Sequence, residues 1–164
     1  MNRRYTASEY RKIVEDLREN IPDVSITTDI IVGFPGESAE EFNETYNFLK
    51  NIKLSRTHIF KYSPRKGTRA ALMQDMVDGN VKEHRSNIIS QLDCENEKEF
   101  MLKFVGRKMQ VLYEHRHKTD KDIYEGYTPN YIKVQTKSRD DISGQIINTE
   151  IEEITDSSLI GKVL

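Results

Sequence analysis

The stretch Val24-Ser25-Ile26-Thr27-Thr28-Asp29-Ile30-Ile31-Val32-Gly33-Phe34-Pro35-Gly36-Glu37 decides how the first half of the chain is read. From Val24 to Val32 it is β-branched and apolar, with Thr27, Thr28 and Asp29 enclosed, the pattern of a parallel strand covered on both faces. The turn Gly33-Phe34-Pro35-Gly36 follows. Ser38 with Glu41 then forms a capping box, and Phe42, Tyr46 and Leu49 mark the buried stripe of a helix. Thr57 to Tyr62 supplies a second short strand, so the segment predicts a βαβ unit with a right-handed crossover and two parallel strands.

Working outward, Thr6 and Glu9 make another capping box ahead of Tyr10, Val14 and Leu17, which predicts a helix from Ala7 to Glu19 ended by Pro22. Asn80 with Glu83 is expected to cap a longer helix carrying Ile88, Ile89 and Leu92 and continuing to Leu102. Beyond Leu102 the period shortens. Lys108 to Glu114, Tyr131 to Thr136, Gln145 to Glu150 and Leu159 to Leu164 alternate near period two. Gly126, Pro129, the run Ser138 to Ser143 and Asp156 to Ser158 separate them. The expectation is α/β plus all-β: residues 1–102 as part of a β/α fold, residues 103–164 as a small antiparallel β module, with a hinge near Phe104 to Arg107. Two parallel strands with three helices leave sheet edges unpaired and apolar faces uncovered, so the first part reads as a piece of a larger β/α barrel or open sheet, with further strands N-terminal to it.

Composition narrows the function classes. The chain of 164 residues carries 25 Lys and Arg against 27 Asp and Glu. From Lys103 onward ten basic residues face ten acidic ones, so neither half is a polycation and any nucleic-acid binding rests on placement. No apolar run approaches the roughly 18 residues that span a bilayer, and the start of the chain lacks a signal-peptide pattern, so a cytoplasmic chain with no membrane partner is expected. Cys94 is the single cysteine; it cannot form an internal disulfide or by itself hold zinc or an iron–sulfur cluster.

Parallel α/β folds place ligands beyond the C-terminal strand ends. Two loops meet that condition. Gly33 to Glu37 suits close backbone approach and an anionic group at the helix N-terminus, or is simply a tight strand-to-helix turn with Phe34 packed inward. Tyr62-Ser63-Pro64-Arg65-Lys66-Gly67-Thr68-Arg69 offers hydroxyls and three cations for a phosphate or carboxylate, or is a solvated loop. Asp29 in its apolar strand needs a partner: a ligand hydroxyl or donors from a neighbouring strand. His58 reads as a sheet residue, and His84, His115 and His117 lack the partner ligands of a metal site. In the β module Tyr124, Tyr127 and Tyr131 interleave with Asn130, Lys133 and Lys137, either an RNA surface of stacking rings and phosphate-binding cations or half-buried strand tyrosines with edge lysines.

Three stretches carry a family resemblance: Met1-Asn2-Arg3-Arg4-Tyr5-Thr6, the string Thr27 to Glu37, and His58-Ile59-Phe60-Lys61-Tyr62-Ser63-Pro64-Arg65-Lys66-Gly67-Thr68. They resemble the closing part of the radical S-adenosylmethionine barrel of tRNA methylthiotransferases. Phe104 to Lys108 and Gly126-Tyr127-Thr128-Pro129-Asn130-Tyr131-Ile132-Lys133-Val134 resemble their C-terminal TRAM domain, an RNA-binding barrel. The His58 strand and the Gly126 to Tyr131 stretch are most similar to the branch that thiomethylates threonylcarbamoyladenosine beside the anticodon. The resemblance implies that a complete member uses S-adenosylmethionine and two [4Fe–4S] clusters to insert sulfur and add a methyl group to a tRNA base. It implies cofactor contacts at Asp29, Gly33, Phe34, Pro35, Gly36, Tyr62 and Ser63. It implies RNA contacts at Arg65, Lys66, Tyr127, Asn130, Tyr131 and Lys133. The Cys-x-x-x-Cys-x-x-Cys cluster motif of the family does not occur in this sequence. The expectation is therefore a C-terminal fragment with no catalytic or metal-binding residues of its own, inactive alone, whose partners are tRNA and the missing N-terminal half in the same or a separate chain. The alternatives are a stand-alone RNA-binding protein and a non-catalytic half that complements a separate chain.

Overall fold

The computed structural model describes residues 4–164; Met1, Asn2 and Arg3, part of the first stretch of the resemblance, lie outside the described residues. Two compact units divide between Asn96 and Glu97. In the first, α1 (Ala7–Asn20), β1 (Thr27–Val32), α2 (Ala39–Ile52) and β2 (Arg56–Lys61) follow the expected order, with a short 3₁₀ turn at Arg69–Leu72 before α3 (Gly79–Leu102). Both expected capping boxes form. Thr6 N donates to Glu9 Oε2 at 2.7 Å while Glu9 N donates to Thr6 Oγ1 at 3.2 Å. Ser38 and Glu41 repeat the exchange at 2.9 and 3.1 Å. Each cap satisfies two otherwise orphaned amides at its helix start. α3 departs from expectation: its first turn is held by Asp78, which accepts from Asn80 N at 2.8 Å, because the helix starts one residue before Asn80.

β1 and β2 pair in parallel, with Asp29 opposite His58 and Ile31 opposite Phe60. Val32, Ile30 and Ile59 turn to the helices and pack with Val14, Phe42, Leu49, Ile52, Ile89 and Leu92. The opposite face has no covering layer among the described residues. Asp29 and His58 are exposed there, and Phe60 remains 52% exposed. The strand is thus covered on one face, not two. The apolar run reads as two-sided because Ile31 stands on the open side of β1, opposite Phe60 of β2. Asp29 accordingly needs no buried partner.

The second unit is a closed barrel in the order β3-β4-β5-β7-β6. Its strands are β3 (Lys108–Arg116), β4 (Ile123–Tyr127), β5 (Lys133–Lys137), β6 (Gln145–Ile154) and β7 (Leu159–Val163). Two corrections follow. The module is not wholly antiparallel, because β5 and β7 pair in parallel through Val134–Leu159 and Gln135–Ile160. β4 is a strand where Gly126 had been read as a separator. That glycine faces inward where β3 and β4 come together, and a Cβ there would lie 2.3 Å from Leu112 O. The core is Phe104, Val111, Tyr113, Tyr124, Val134, Ile151 and Leu159, all fully buried, with the end of α3 contributing Met101. Tyr124 is therefore a core residue and not part of a surface. The stretch Phe104 to Arg107 is no hinge: Phe104 is in the core, Gly106 N donates to Ile151 O, and Ile151 N donates to Arg107 O.

Gly126→Ala is expected to destabilise the barrel by about 1–3 kcal/mol or more, since the clash is with backbone rather than with a side chain that can move. Urea unfolding followed by tyrosine fluorescence measures it, and an unchanged midpoint would contradict the close approach of the strands.

Candidate functional site

The C-terminal ends of β1 and β2 carry the first candidate site. The β1 turn is built around a carboxylate. Glu37 accepts from Gly33 N at 2.7 Å and its own N–H closes the turn on Phe34 O at 2.9 Å. Arg85 of α3, only 7% exposed, completes the arrangement. Its guanidinium pairs with the Glu37 carboxylate, donates to Glu37 O at 3.1 Å and Ser38 O at 3.2 Å, and lies 5.2 Å from the Phe42 ring centroid. Gly33 has φ +69°, and a Cβ would sit 2.1 Å from Lys82 Cγ, so both backbone and space demand glycine there. Lys82 then reaches Tyr62 O with its ammonium at 3.4 Å. The turn that sequence reasoning left open between a ligand loop and a packed turn is thus braced from behind by α3.

In front of that brace Phe34 and Tyr62 meet edge to face, ring centroids 5.2 Å apart. They line an open cavity of about 540 Å³ together with Asp29, Phe60, Ser63 and Arg65. Pro35 and Gly36 border a second hollow of about 370 Å³, which shares Asp29 and Phe34. Five of the expected site residues, Asp29, Phe34, Tyr62, Ser63 and Arg65, thereby converge on one concavity, within the range of small-molecule sites. Lys66 is exposed and does not line it. The Tyr62 hydroxyl is buried and finds no partner among the described residues, a polar atom left for a ligand to satisfy. These side chains suit a small molecule that carries both apolar and polar groups. They do not fit an iron–sulfur cluster: Cys94 is an exposed thiol on α3, and no group of three His, Cys, Asp or Glu among the described residues is arranged to hold a metal.

The barrel presents the second candidate site. Tyr131, 84% exposed with φ +62°, stands beside Tyr127, ring centroids 6.5 Å apart. The loop beneath is tied by Thr128, whose hydroxyl donates to Asn130 Oδ1 at 2.6 Å and accepts from Ile132 N at 3.0 Å. Asn130 thus shapes the loop. Lys133 lies on the same side, but its ammonium is 2.6 Å from Glu125 Oε1. Gln135 Nε2 donates to the same oxygen at 2.8 Å, and His115 and His117 bring their Nε2 atoms to 3.3 and 3.9 Å from the carboxylate. His117 Nδ1 accepts from Asp120 N at 3.3 Å, so in the neutral ring the proton sits on Nε2, facing Glu125. The Lys133 hydrogen bond, assisted by Gln135, holds the Glu125 carboxyl down to about 2 against the opposing effect of burial. Sequence reasoning missed Arg85, Lys82 and Glu125. The first two sit far along the chain from the turn they brace, and Glu125 sits on the unrecognised strand.

The model of the Radical SAM superfamily matches residues 1–49. Over 153 residues, 92% of the chain, the sequence is 39% identical to the threonylcarbamoyladenosine tRNA methylthiotransferase MtaB of Bacillus subtilis. It is 37% identical over its whole length to the tRNA-2-methylthio-N(6)-dimethylallyladenosine synthases of Acetivibrio thermocellus and Geobacillus kaustophilus. The aligned region is 34% of the first two relatives and 31% of the third, so the chain spans about a third of the length of the curated relatives it matches.

Two outcomes are expected. Arg85→Met leaves the Glu37 carboxylate nearly buried without its partner and should cost roughly 3–5 kcal/mol, with faster amide exchange at Gly33; unchanged exchange there would refute the bracing role. Glu125, lowered from its ordinary 4.5 to about 2, contributes stability that is complete above pH 4.5 and lost as the pH falls toward 2. The full difference is on the order of 3 kcal/mol. Glu125→Gln should remove that part of the barrel's acid sensitivity in denaturation curves taken between those pH values.

Proposed function

We propose that this chain is the C-terminal segment of a radical S-adenosylmethionine tRNA methylthiotransferase of the threonylcarbamoyladenosine branch. In this reading residues 1–102 are the closing wall of the cofactor barrel and residues 103–164 a TRAM-type RNA-binding barrel. The observation that carries it is the bare face of the β1–β2 sheet. Ile31 and Phe60 stand on it beside Asp29, and it ends in a cavity where the Tyr62 hydroxyl has no partner. An apolar face of that kind belongs against further strands, and the curated relatives are about three times as long as the stretch they share with this chain.

S-adenosylmethionine bound to a [4Fe–4S] cluster supplies the radical chemistry in such enzymes. The cluster ligands have no counterpart here, so the contribution of this segment is to bind and orient. Phe34 and Tyr62 offer apolar surface and a hydroxyl to the adenosyl group, Asp29 offers a carboxylate acceptor for ligand hydroxyls or ammonium, and Ser63 and Arg65 supply donors at the rim. Gly33, Pro35 and Gly36 keep the turn low enough for a ligand to approach its backbone. Tyr127, Tyr131, Asn130 and Lys133 belong to the barrel that meets tRNA, with Arg65 and Lys66 on the wall's own rim. The setting is cytoplasmic, where tRNA is modified, and no helix of the described residues is long and apolar enough to cross a membrane. The threonylcarbamoyladenosine branch is supported by the His58-Ile59-Phe60 strand and by the Bacillus subtilis relative.

The test joins this chain to the N-terminal two thirds of a threonylcarbamoyladenosine enzyme and, separately, of a dimethylallyladenosine enzyme, in a host lacking both activities. Mass spectrometry of tRNA nucleosides should find the 2-methylthio product with the first chimera and little with the second, and none with the chain alone. Equal products from both chimeras would remove the branch assignment. No product from either, with both proteins soluble and loaded with iron, would remove the segment reading.

A further inference from the structure

The register of the barrel assembles a feature that no single segment displays. On β3, Val111 and Tyr113 point into the core while Leu112 between them is 40% exposed. Leu112 pairs laterally with Tyr127 of β4 on one side and Ile146 of β6 on the other, and these are 36% and 67% exposed. Ile146, Leu112 and Tyr127 therefore form one continuous outward row across three strands, prolonged at the β4 end by the Tyr131 ring.

With strands about 4.8 Å apart the three-residue row is roughly 10 Å long, and the Tyr131 ring lies a further 6.5 Å from that of Tyr127. It is one residue wide. Gln110 and Asn148, a register pair, flank it on one side, and Glu125 and Gln135, another, flank it on the other. So narrow a strip falls well short of the roughly 800 Å² per partner of a stable protein interface, but it suits two or three unstacked bases laid on a sheet. The flanks agree. Gln110 and Asn148 offer amide donors and acceptors of the kind that read base edges. Of these four flanking side chains one is a carboxylate, Glu125, and its ion pair with Lys133 at 2.6 Å offsets its charge toward a phosphate. The Thr128 latch holds the Tyr131 backbone in the left-handed conformation, so its exposed ring leaves the loop from a set position.

We propose that the row Ile146–Leu112–Tyr127, capped by Tyr131, is a platform for consecutive unpaired nucleobases, so that this barrel binds single-stranded or looped RNA in preference to duplex. The inference rests on the reading of the barrel as an RNA-binding module and adds to it the ligand form and two aliphatic residues, Leu112 and Ile146. Because Lys133 is occupied by Glu125, recognition comes from stacking more than from phosphate neutralisation.

The experiment uses the full chain with a fluorescein-labelled eight-residue oligouridylate and a blunt-ended RNA duplex of matching length. Leu112→Thr, Ile146→Thr and Tyr131→Ala change outward-facing positions, and circular dichroism checks that each variant retains the barrel. Each should weaken oligouridylate binding about five-fold or more, while Tyr131→Phe keeps the ring and the affinity. The blunt-ended duplex should bind more weakly than the single strand. Tight binding by the parent chain that is indifferent to all three variants, or that favours the duplex, overturns the platform while leaving the RNA-binding reading in place. Absence of any RNA binding by the parent chain overturns both. Self-association that the threonine variants abolish, with RNA affinity unchanged, would assign the row to contact between copies instead.

Discussion

A single buried guanidinium holds in shape the turn that joins β1 to α2. Arg85 reaches from α3 to Glu37 and to two carbonyls at the start of α2, and Glu37 in turn holds the Gly33 amide at the end of β1. Three elements thus meet on one ion pair. Burial makes both charges costly, and only the fork geometry of arginine satisfies a carboxylate and two carbonyls at once. With the turn fixed from behind, its front is left to Phe34 and to the hollow shared with Tyr62. The apolar core below packs Val32 and Phe42, and the polar network adds directional contacts to the turn above it.

The barrel solves a comparable problem with the opposite sign. Glu125 sits on the outer side of β4 yet is 8% exposed, because Lys133, Gln135, His115 and His117 all close over it. Here the carboxylate is the hub and the donors are the spokes. A lysine that in sequence looks ready to hold a phosphate thus has its ammonium engaged by Glu125 on the outer side of the barrel.

Local chemistry was the legible part of this fold. Thr6–Glu9 and Ser38–Glu41 announce their helices because a cap and its partner lie within one turn, and the βαβ order follows from periodicity that spans tens of residues. Phe34, Tyr62 and Ser63 could be placed at the strand ends, and Asp29 within its strand, for the same reason. What stayed hidden depends on partners distant in the chain or on facing. Arg85 lies 48 residues beyond Glu37, and nothing near it marks it as a brace. β4 escaped because Gly126 reads as a turn, although it is the close approach of Leu112 that requires glycine. Tyr124 and Tyr127 look alike in sequence, and only the inward–outward alternation along β4 separates a core ring from a surface one. The demand for a partner to Asp29 follows from the apolar run Val24 to Val32, which reads as doubly covered because Ile31 joins Ile30 and Val32, whereas the described residues cover one face.

That mismatch between composition and covering is itself informative. A surface sheet evolving without a partner layer tends toward polar residues on its wet side, as the outer positions Gln110, Asn148 and Gln135 of the barrel illustrate. The bare side of β1 and β2 has not done so. It keeps Ile31 and a half-exposed Phe60 next to Asp29, with the partnerless Tyr62 hydroxyl at its end. Under the proposed function Ile31 and Phe60 beside Asp29 serve as ligand wall, and the two units divide the work by chemistry. The first lines a hollow of mixed polar and apolar character suited to an adenosyl group, the second presents a row of rings and aliphatics suited to bases.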